Sequence, residues 1–418
     1  MKRNVWIINH HANDMYFDKG GRHYSIAKYL KLQGYDPIIF CSNAIHGNGD
    51  YYFDNEKLWQ QHLAEEINVP FVYVKGLSYD GNGICRVLSM VNFYFNMIKT
   101  AKEYSKMFGK PDIIIASSVH PLAVLAGEKI AKFYEIPCVC EIRDLWPESI
   151  FAYYPEKKEK MYANILYKGE KYMYEKADAI VMTWPGGKDY IKDKGWFKSV
   201  DPHKIYYISN GVDLEVYDKL ASDEEGESCF EFEESKFNVV YTGAIRKVNN
   251  LGMIVDAAKI LQEHGDSKVK ITIYGDGDEL ESLKLKCKQE KIYNIVFAGR
   301  CPKSQVPIIL KKADCSIMHN TSTILNKSGQ SQNKFFEYLA AGKPIIMTYS
   351  VGYSICAAEH CGIEVSTQNA AEICEAIEKM STMDLNDYKT MCKSARKVAQ
   401  KYDFKLLTQK YVDIIEKM

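Results

Sequence analysis

The chain has 418 residues, 46% of them apolar and 26% charged, and its 54 Lys and Arg balance its 54 Asp and Glu. This length predicts two or three domains, and the composition excludes a disordered or fibrous chain. Balanced charge gives no general support for a nucleic-acid partner, so we expect none and turn to local charge.

Twelve cysteines are scattered along the chain without a Cys-x-x-Cys pair. This is typical of small buried side chains in a reducing compartment rather than of disulfides or metal ligands. The N-terminal apolar run Val5–Ile8 is too short for a signal peptide. No run approaches the roughly 18 apolar residues of a membrane span. We therefore expect a cytoplasmic protein.

The first half of the chain alternates short apolar runs with helical patterns, such as Ser25–Gln33 and Leu122–Phe133. The predicted strands are Val5–Ile8, Pro37–Cys41, Pro70–Val74, Asp112–Ala116, Cys138–Ile142, Ala179–Thr183 and Ile205–Ile208. Strands that alternate with helices favour a parallel sheet covered on both faces.

Two glycines, Gly20 and Gly21, precede the first predicted helix. Glycines at a helix N-terminus let backbone N–H groups approach an anion. A plain tight turn is the alternative, and the pattern is not the Gly-x-Gly-x-x-Gly of dinucleotide-binding proteins.

Polar residues also follow two later strands of this half. His120 follows the strand Asp112–Ala116, where it could contact a sugar hydroxyl or a developing charge, or simply cap the next helix. Arg143 and Asp144 follow the strand Cys138–Ile142, where they could pair to fix the loop or could bind an acceptor.

An acidic segment divides the chain. We expect a first domain at residues 1–218, a solvated acidic linker at 219–236 and a second domain at 237–403. A terminal amphipathic helix at about 404–418 is expected to pack back on the first domain.

The second half repeats the alternation without repeating the sequence. Its predicted strands are Asn238–Tyr241, Ile271–Tyr274, Ile295–Ala298, Cys315–Met318 and Pro344–Thr348. Two such α/β domains facing each other predict an interdomain cleft at the carboxyl ends of their strands, where ligands of open α/β sheets bind.

Several strand ends of this half carry glycine or a cation. Arg246 and Lys247 follow Gly243 and precede a helix predicted near Asn250, a combination that suits a diphosphate. An exposed basic turn is the alternative. Gly275 and Arg300 follow the next two strands, and backbone groups at such ends commonly hold a nucleobase edge.

The segment SGQSQNKFFEYLAAGKPII, residues 328–346, predicts a loop, a helix and a buried strand. Gly329 and Gln330 lie in the loop, and Asn333, Lys334 and Phe335 form the first helical turn. One turn in, the carboxylate of residue 337, a Glu, could accept two ribose hydroxyls. The glycine turns, cations and carboxylate together favour an anionic ligand rich in hydroxyl groups, such as a nucleotide sugar.

The chain resembles the retaining glycosyltransferases of family 4, which have the GT-B architecture of two facing Rossmann-like domains. The matching pieces are Gly20-Gly21, His120, Asn210-Gly211-Val212-Asp213, Tyr241-Thr242-Gly243, Gly275-Asp276-Gly277 and the specific segment from Asn333 to Pro344. The segment Arg143 to Glu148 further resembles the branch that builds bacterial surface polysaccharides, including transferases of amino-deoxy sugars.

The resemblance implies roles for four of these residues. Glu337 matches the second Glu of the family's Glu-x7-Glu pattern and would hold the donor ribose. His120 matches the His that contacts the transferred sugar, and Gly20 and Gly21 would approach the diphosphate and acceptor.

The chain departs from the family pattern at two places. Gly329 stands where the family has its first Glu. Ala244 stands where the family has an Arg, and the family's later Lys falls near Asn250, so Arg246 and Lys247 are the nearest substitutes.

The expected activity is transfer of a hexose, N-acetylated or deoxy, from a UDP-sugar to a hydroxyl of a glycan acceptor, with retained configuration. Arg246 and Lys247 would stabilise the departing diphosphate, His120 would orient the sugar, and no metal would be required. Two alternatives stay open, a catalytically silent subunit that binds a nucleotide sugar and a nucleotide-sugar epimerase.

The acceptor is expected to be linked to a polyprenyl diphosphate. Apolar residues from Val87 to Ile98 precede three lysines, and five lysines lie among the tyrosines of residues 153–174. Such helices suit a peripheral position on the cytoplasmic face of the inner membrane. Ordinary core-facing and solvated helices are the alternative.

Overall fold

The computed structural model describes residues 3–81, 83–118, 120–223, 232–265 and 268–418. The chain divides into two compact α/β units, one of Met1–Ser209 with Phe404–Met418 and one of Asn210–Asp403. Residues 224–231, in the middle of the expected acidic linker at 219–236, lie outside the described residues, and the linker's first three positions belong to the helix Leu214–Ala221.

The second unit begins at Asn210, earlier than the boundary expected at residue 218. The difference has a packing origin, because Val212, Leu214 and Tyr217 are buried in a hydrophobic core cluster of the second unit. The segment just before the acidic residues is therefore part of the second unit.

The first unit is built on one sheet. Its strands are β1 (Asn4–Ile8), β2 (Asp36–Ser42), β3 (Trp59–Ala64), β4 (Val69–Val74), β5 (Ile113–Ser118), β6 (Cys138–Ile142), β7 (Ala179–Met182) and β8 (Ile205–Tyr207). In the described part the strand order is β3-β4-β2-β1-β5-β6-β7-β8. Neighbouring strands are parallel, apart from the antiparallel pair of β3 and β4 at one edge.

The helices of the first unit cover this sheet. They are α1 (Asp14–Phe17), α2 (Arg22–Leu32), α3 (Ile84–Phe108), α4 (Pro121–Tyr134), α5 (Glu148–Phe151), α6 (Met161–Lys176) and α7 (Gly187–Asp193). α4 begins at Pro121, which suits a first turn because that position needs no N–H donor. It lies close on β5 through Gly127, where a Cβ would be 2.4 Å from the Cβ of Ala116.

The second unit has the same kind of architecture. Its strands are β9 (Phe237–Thr242), β10 (Val269–Tyr274), β11 (Ile295–Gly299), β12 (Cys315–Met318), β13 (Ile345–Met347) and β14 (Gly362–Glu364). Among the described residues they form one parallel sheet in the order β11-β10-β9-β12-β13-β14. Two α/β units with parallel sheets confirm the predicted fold class.

The helices of the second unit pack on both sides of its core strands. They are α8 (Leu214–Ala221), α9 (Gly252–Glu263), α10 (Leu280–Glu290), α11 (Val306–Lys312), α12 (Asn333–Ala340), α13 (Ile355–Ala358), α14 (Ala370–Ser381) and α15 (Leu385–Lys401). β9 and β12 are buried along nearly their whole lengths, which explains their continuous apolar sequences.

The last helix, α16 (Phe404–Ile415), belongs to the first unit. It packs against α2 and buries Leu407, Tyr411 and Ile415 in the core that also contains Val5 and Ile7 of β1. Across the described residues, no helix has both the length and the apolar character that crossing a membrane requires.

Candidate functional site

The loops that follow β9, β10 and β11 are joined by backbone hydrogen bonds at the carboxyl edge of the second unit's sheet. The N–H of Gly243 donates to the carbonyl of Tyr274 at 2.9 Å, and the N–H of Gly275 donates to the carbonyl of Gly299 at 2.8 Å. Gly275 has φ +150°, and a Cβ there would lie 1.8 Å from the Gly243 carbonyl oxygen. Only glycine fits at this position, so the close approach of the two loops depends on Gly275.

A cavity of about 500 Å³ opens at these strand ends, inside the second unit. It is lined by Thr242, Gly243, Ala244, Arg246, Tyr274, Gly275, Asp276, Gly277, Arg300, Cys301, Lys303 and Val306. Four of the predicted donor or phosphate residues, Gly243, Arg246, Gly275 and Arg300, thus meet in one place. Three lining cations and one lining carboxylate give the cavity a positive balance, which suits an anionic ligand.

Lys334 brings a further cation to this edge from α12. Its Nζ lies 2.9 Å from the hydroxyl oxygen of Tyr241 and 4.3 Å from the centre of that ring. The same Nζ would be 3.2 Å from a Cβ at Gly243, so the ammonium lies directly against the first glycine loop. Burial lowers the pKa of Lys334 to about 8, against the opposing effect of Glu337.

Glu337 lies one turn further along α12 and is half-buried. Burial raises the pKa of its carboxyl group, while the nearby cations Lys303 and Lys334 oppose that rise. The Glu337 carboxyl group therefore lies near Lys303, a cation that lines the cavity. This arrangement can accept hydrogen bonds from a ligand's hydroxyl groups.

The position of α12 is set by its apolar face. Phe335 and Phe336 are fully buried, with ring centroids 5.4 Å apart, and the Tyr338 hydroxyl accepts a hydrogen bond from the N–H of Thr242 at 2.8 Å. The side chain of Phe335, a predicted donor contact, packs in the core and supports the helix, and its contact with the donor stays a prediction.

The other predicted residues of this unit lie around the same edge with different environments. Gln330 is buried, and its Oε1 accepts a hydrogen bond from the Tyr349 hydroxyl at 3.0 Å. Gly329 has φ +95°, a conformation that suits glycine. Asn333 is exposed at the first position of α12. Lys247 is exposed in a 3₁₀ turn and does not line the cavity.

The helix predicted near Asn250 begins two residues later, at Gly252. Asn250 itself has φ +48° and ends the 3₁₀ turn of residues 247–249. His319, which the sequence reasoning missed, lies fully buried just after β12 and forms a hydrogen bond with Thr348. Burial lowers the pKa of His319 to about 4. Its place immediately after a strand was the available signal.

In the first unit, His120 follows β5 and is fully buried. Its Nε2 lies 2.6 Å from Nδ1 of His10, which follows β1 and stacks on Phe93 with centroids 4.4 Å apart. Burial lowers the pKa of His120 to about 3 and holds the pKa of His10 well below its usual range. The pair is therefore neutral at neutral pH.

More basic side chains surround the pair. The His11 ring lies 4.5 Å from His10 and 4.7 Å from His46, and Arg86 on α3 is close enough to lower the pKa of His10, after burial and the neighbouring histidines. The sequence reasoning gave no role to these side chains. His10 and His11 directly follow β1, which was a usable signal, whereas no local pattern marks Arg86.

The glycine loop of the first unit ends in a buried polar network. Gly21 precedes α2 with φ +97°, Gly20 comes just before it, and Arg22 is buried. Arg22 donates to Glu141 at 2.9 Å and to the carbonyl of Ile208 at 2.9 Å. The network fixes where this loop lies.

Arg143 and Asp144 follow β6 in the same unit. Arg143 is half-buried, its backbone N–H donates to the Ser118 hydroxyl at 3.0 Å, and its carbonyl accepts from the Trp184 ring nitrogen. Asp144 is exposed. The backbone contacts hold the loop.

Among the described residues, one cluster has suitable chemistry for a metal ion. His264, Cys374 and Glu378 offer ligand atoms within 4.8 Å of one another. They lie where α9 and α14 meet, not at the strand ends that form the cavity, so the cluster is separate from the candidate site.

Two family models match most of the chain. The model described as Glycosyltransferase Family 4 matches residues 23–216, and the model described as Glycosyl transferases group 1 matches residues 236–382. Among curated proteins, a glycosyltransferase of Methanocaldococcus jannaschii described as uncharacterized is 22% identical over 250 residues. That match spans 59% of this chain and 60% of the relative's length.

Solved structures resemble the whole chain at low sequence identity. HepE of Anabaena in complex with UDP is 14% identical with a TM-score of 0.66, and the match covers 100% of both chains. HepE with UDP-glucose is 13% identical, with 99% and 100% covered and a TM-score of 0.64.

Sucrose-phosphate synthase of Thermosynechococcus elongatus is 14% identical with a TM-score of 0.71, and the match covers 100% of this chain and 99% of that one. These likenesses show a shared fold. Together with the two family models, they show that the chain belongs to the family 4-like glycosyltransferases of GT-B fold.

Proposed function

We propose that the protein is a retaining hexosyltransferase that uses a UDP-sugar as donor. The observation that carries the proposal is the cavity of the second unit, where Arg246, Arg300 and Lys303 line the wall and Glu337 lies beside Lys303. A diphosphate and a ribose need this combination of cations and a carboxylate. The complexes of HepE with UDP and UDP-glucose support the same nucleotide for this chain.

In the proposed reaction, the bond between the sugar's anomeric carbon and the diphosphate oxygen breaks, and a bond to the acceptor hydroxyl oxygen forms on the same face. The acceptor's proton passes to the leaving phosphate, so no protein nucleophile is required. Arg246 and Lys334 would stabilise the departing charge, and the proposal requires no metal because these cations supply that role. His120 would contact the transferred sugar, as the family resemblance implies.

The test is direct measurement of donor binding and transfer. UDP should raise the melting temperature, since a ligand at 100 times its dissociation constant adds about 2.7 kcal/mol. Incubation with a panel of UDP-hexoses and a glycan acceptor should release UDP and yield a product whose anomeric configuration, read by NMR, equals that of the donor. Binding of UDP without any transfer would favour a silent nucleotide-sugar-binding subunit, and absence of UDP binding would reject both.

We further propose that the acceptor is glycan on a polyprenyl diphosphate, met at a membrane surface. α3 presents apolar residues on both faces, since Met90, Phe93 and Met97 are buried while Ile84 is 80% exposed. On α6, Met161 is 89% exposed. Exposed apolar side chains on helices that also carry lysines suit an anionic lipid surface.

Vesicle co-sedimentation tests this second proposal. The protein should pellet with vesicles that contain anionic lipid and should be released by high salt, because its lysines contribute an electrostatic attraction. Replacing Ile84 and Met161 by Ser should weaken pelleting without changing UDP binding. Equal recovery with anionic and neutral vesicles would reject a charge-assisted membrane surface.

A further inference from the structure

We infer that His10 is a positioning residue for His120, because it accepts a hydrogen bond from His120 Nε2–H and so fixes which nitrogen of His120 carries the hydrogen. The inference rests on the proposed function, in which His120 contacts the transferred sugar. It assigns to His10 a role that acts through its neighbour.

The strands set the separation of the two rings. His10 comes two residues after β1 and His120 comes two residues after β5, and these strands are paired in the register Ile8 with Ala116. Two residues that follow neighbouring parallel strands are held at one edge of the sheet. The pairing of the two strands therefore helps to bring the rings together, and His10 Nδ1 lies 2.6 Å from His120 Nε2.

Packing also fixes the His10 ring. It stacks on Phe93 with an interplanar angle of 18°, and only 2% of the residue is exposed. Phe93 is itself fully buried on α3. A ring held in this way offers its Nδ1 in one direction, which is what positioning a partner requires.

Neutral imidazole has one N–H donor and one acceptor nitrogen, so a close contact between two such rings needs one ring to donate. Two arrangements are possible. In the first, His120 Nε2–H donates to His10 Nδ1, and His120 Nδ1 keeps a lone pair. In the second, His10 Nδ1–H donates to His120 Nε2, and His120 Nδ1 carries the hydrogen.

The surroundings of His120 Nδ1 favour the first arrangement. This atom is buried and has no hydrogen-bond partner among the described residues. A buried N–H without a partner is rarer in proteins than a buried acceptor without one. The lone pair therefore belongs on Nδ1, where it can accept a hydrogen bond from a sugar hydroxyl when the ligand arrives.

Two variants separate positioning from packing. His10→Asn keeps a side-chain oxygen that can accept from His120 Nε2–H, while His10→Leu fills the space against Phe93 without an acceptor. We expect His10→Leu to lower kcat on the order of tenfold or more, and His10→Asn to restore most of the loss. Donor KM and UDP affinity should change little in both, because the UDP cavity lies in the second unit.

A nitrogen-detected NMR spectrum of histidine-labelled protein reads the tautomer directly. Wild-type His120 should show a protonated Nε2 and an unprotonated Nδ1, and His10→Leu should show a mixture of tautomers. A wild-type His120 protonated at Nδ1 would overturn the inference, as would equal kcat and unchanged His120 signals in His10→Leu. If wild type transfers no sugar, the proposed function fails, and the wild-type spectrum alone decides the tautomer.

Discussion

Arg246 and Lys247 are neighbours in sequence but not in environment. Both residues are exposed, but Arg246 lines the cavity, whereas Lys247 lies in the following 3₁₀ turn and does not line it. The sequence places both after a strand and a glycine, so it cannot separate them. The direction in which each side chain leaves the turn depends on the loop geometry. Because the two neighbouring cations differ in whether they line the cavity, they offer a matched test of the phosphate-binding assignment.

Arg246→Ala should lower kcat by about 10²–10³-fold, the scale reported for loss of one preorganised electrostatic donor. Lys247→Ala serves as the control and should stay within about threefold of wild type, since its side chain does not line the cavity. UDP release under saturating donor measures both. A larger loss in Lys247→Ala than in Arg246→Ala would contradict the cavity assignment.

Lys334 adds a pH dependence to donor binding. Burial lowers its pKa to about 8 from the usual 10.5, so the unliganded lysine loses its proton as the pH rises through about 8. A bound diphosphate favours the charged form and raises that pKa again. UDP affinity should therefore be constant below about pH 7 and should fall as the pH increases above 8, with proton uptake on binding.

Isothermal titration at pH 9 in buffers of different ionisation enthalpy measures this proton uptake. Lys334→Arg is the control, because a guanidinium stays charged across the whole range and should bind UDP without taking up a proton. Proton uptake of the same size in Lys334→Arg and wild type would assign the effect to another group.

At the scale of elements, the sequence reasoning found twelve of the strands within a few residues because buried parallel strands are continuous apolar runs. It missed β3 and β14. β3 reads WQQHLA and is largely half-buried or exposed, and β14 is three half-buried residues, so neither carries an apolar signal. An edge strand is stabilised by pairing with the sheet that it joins, and the residues of that sheet lie outside the short stretch of sequence around the strand.

The candidate site was predictable to a similar extent. Glycine turns, the cations near them and the segment around Glu337 were visible as local patterns, and Gly243, Arg246, Gly275 and Arg300 meet at the cavity. Arg86 was missed because it reaches the strand ends from a helix that no local pattern connects with them, whereas His10 and Lys303 closely follow strands and were missed although that signal was present. The burial that shifts the pKa of Lys334 is likewise a property of tertiary packing.

Gly275 lies where the ends of two neighbouring strands are joined by a backbone hydrogen bond. Gly275→Ala should destabilise the protein by about 3 kcal/mol, because its Cβ would meet the Gly243 carbonyl oxygen and the backbone would have to move. UDP affinity should fall as well, since both glycines line the cavity. Thermal unfolding and UDP titration measure the two effects.

Gly169→Ala is the matched control for that substitution. Gly169 lies inside α6 with no atom within 4 Å of its added Cβ. Alanine there should stabilise the protein by roughly 0.5–1 kcal/mol, because alanine has less conformational entropy to lose on folding than glycine and a higher helix propensity. A Gly275→Ala variant as stable as wild type would show that the strand-end contact can relax.

At the scale of the whole molecule, α16 joins the last residues to the first unit through a buried polar network. The Tyr411 hydroxyl contacts Glu141 and lies 3.0 Å from Arg22. The Arg22 cation, with His23, holds the pKa of Glu141 well below its usual range despite burial. This contribution to stability is present above the ordinary carboxyl pKa and is lost as the pH falls through the lowered value.

Tyr411→Phe should reduce the free energy of unfolding by about 1–3 kcal/mol, because two buried polar partners lose a hydrogen bond. UDP affinity should be unchanged, since Tyr411 belongs to the first unit. Chemical denaturation measures the free energy of unfolding, and UDP titration is the control for UDP affinity. Loss of UDP binding together with stability would indicate that the change spreads beyond the first unit.

The second unit is inserted between Ser209 and Phe404 of the first, and this has a consequence for synthesis on the ribosome. Residues 1–209 emerge early, yet their core still lacks Leu407, Tyr411 and Ile415. The inserted unit can finish folding while its host remains incomplete. A nascent chain thus carries residues 1–209 with an incomplete core until residues 404–418 have left the ribosome, and truncation before residue 404 leaves that core open.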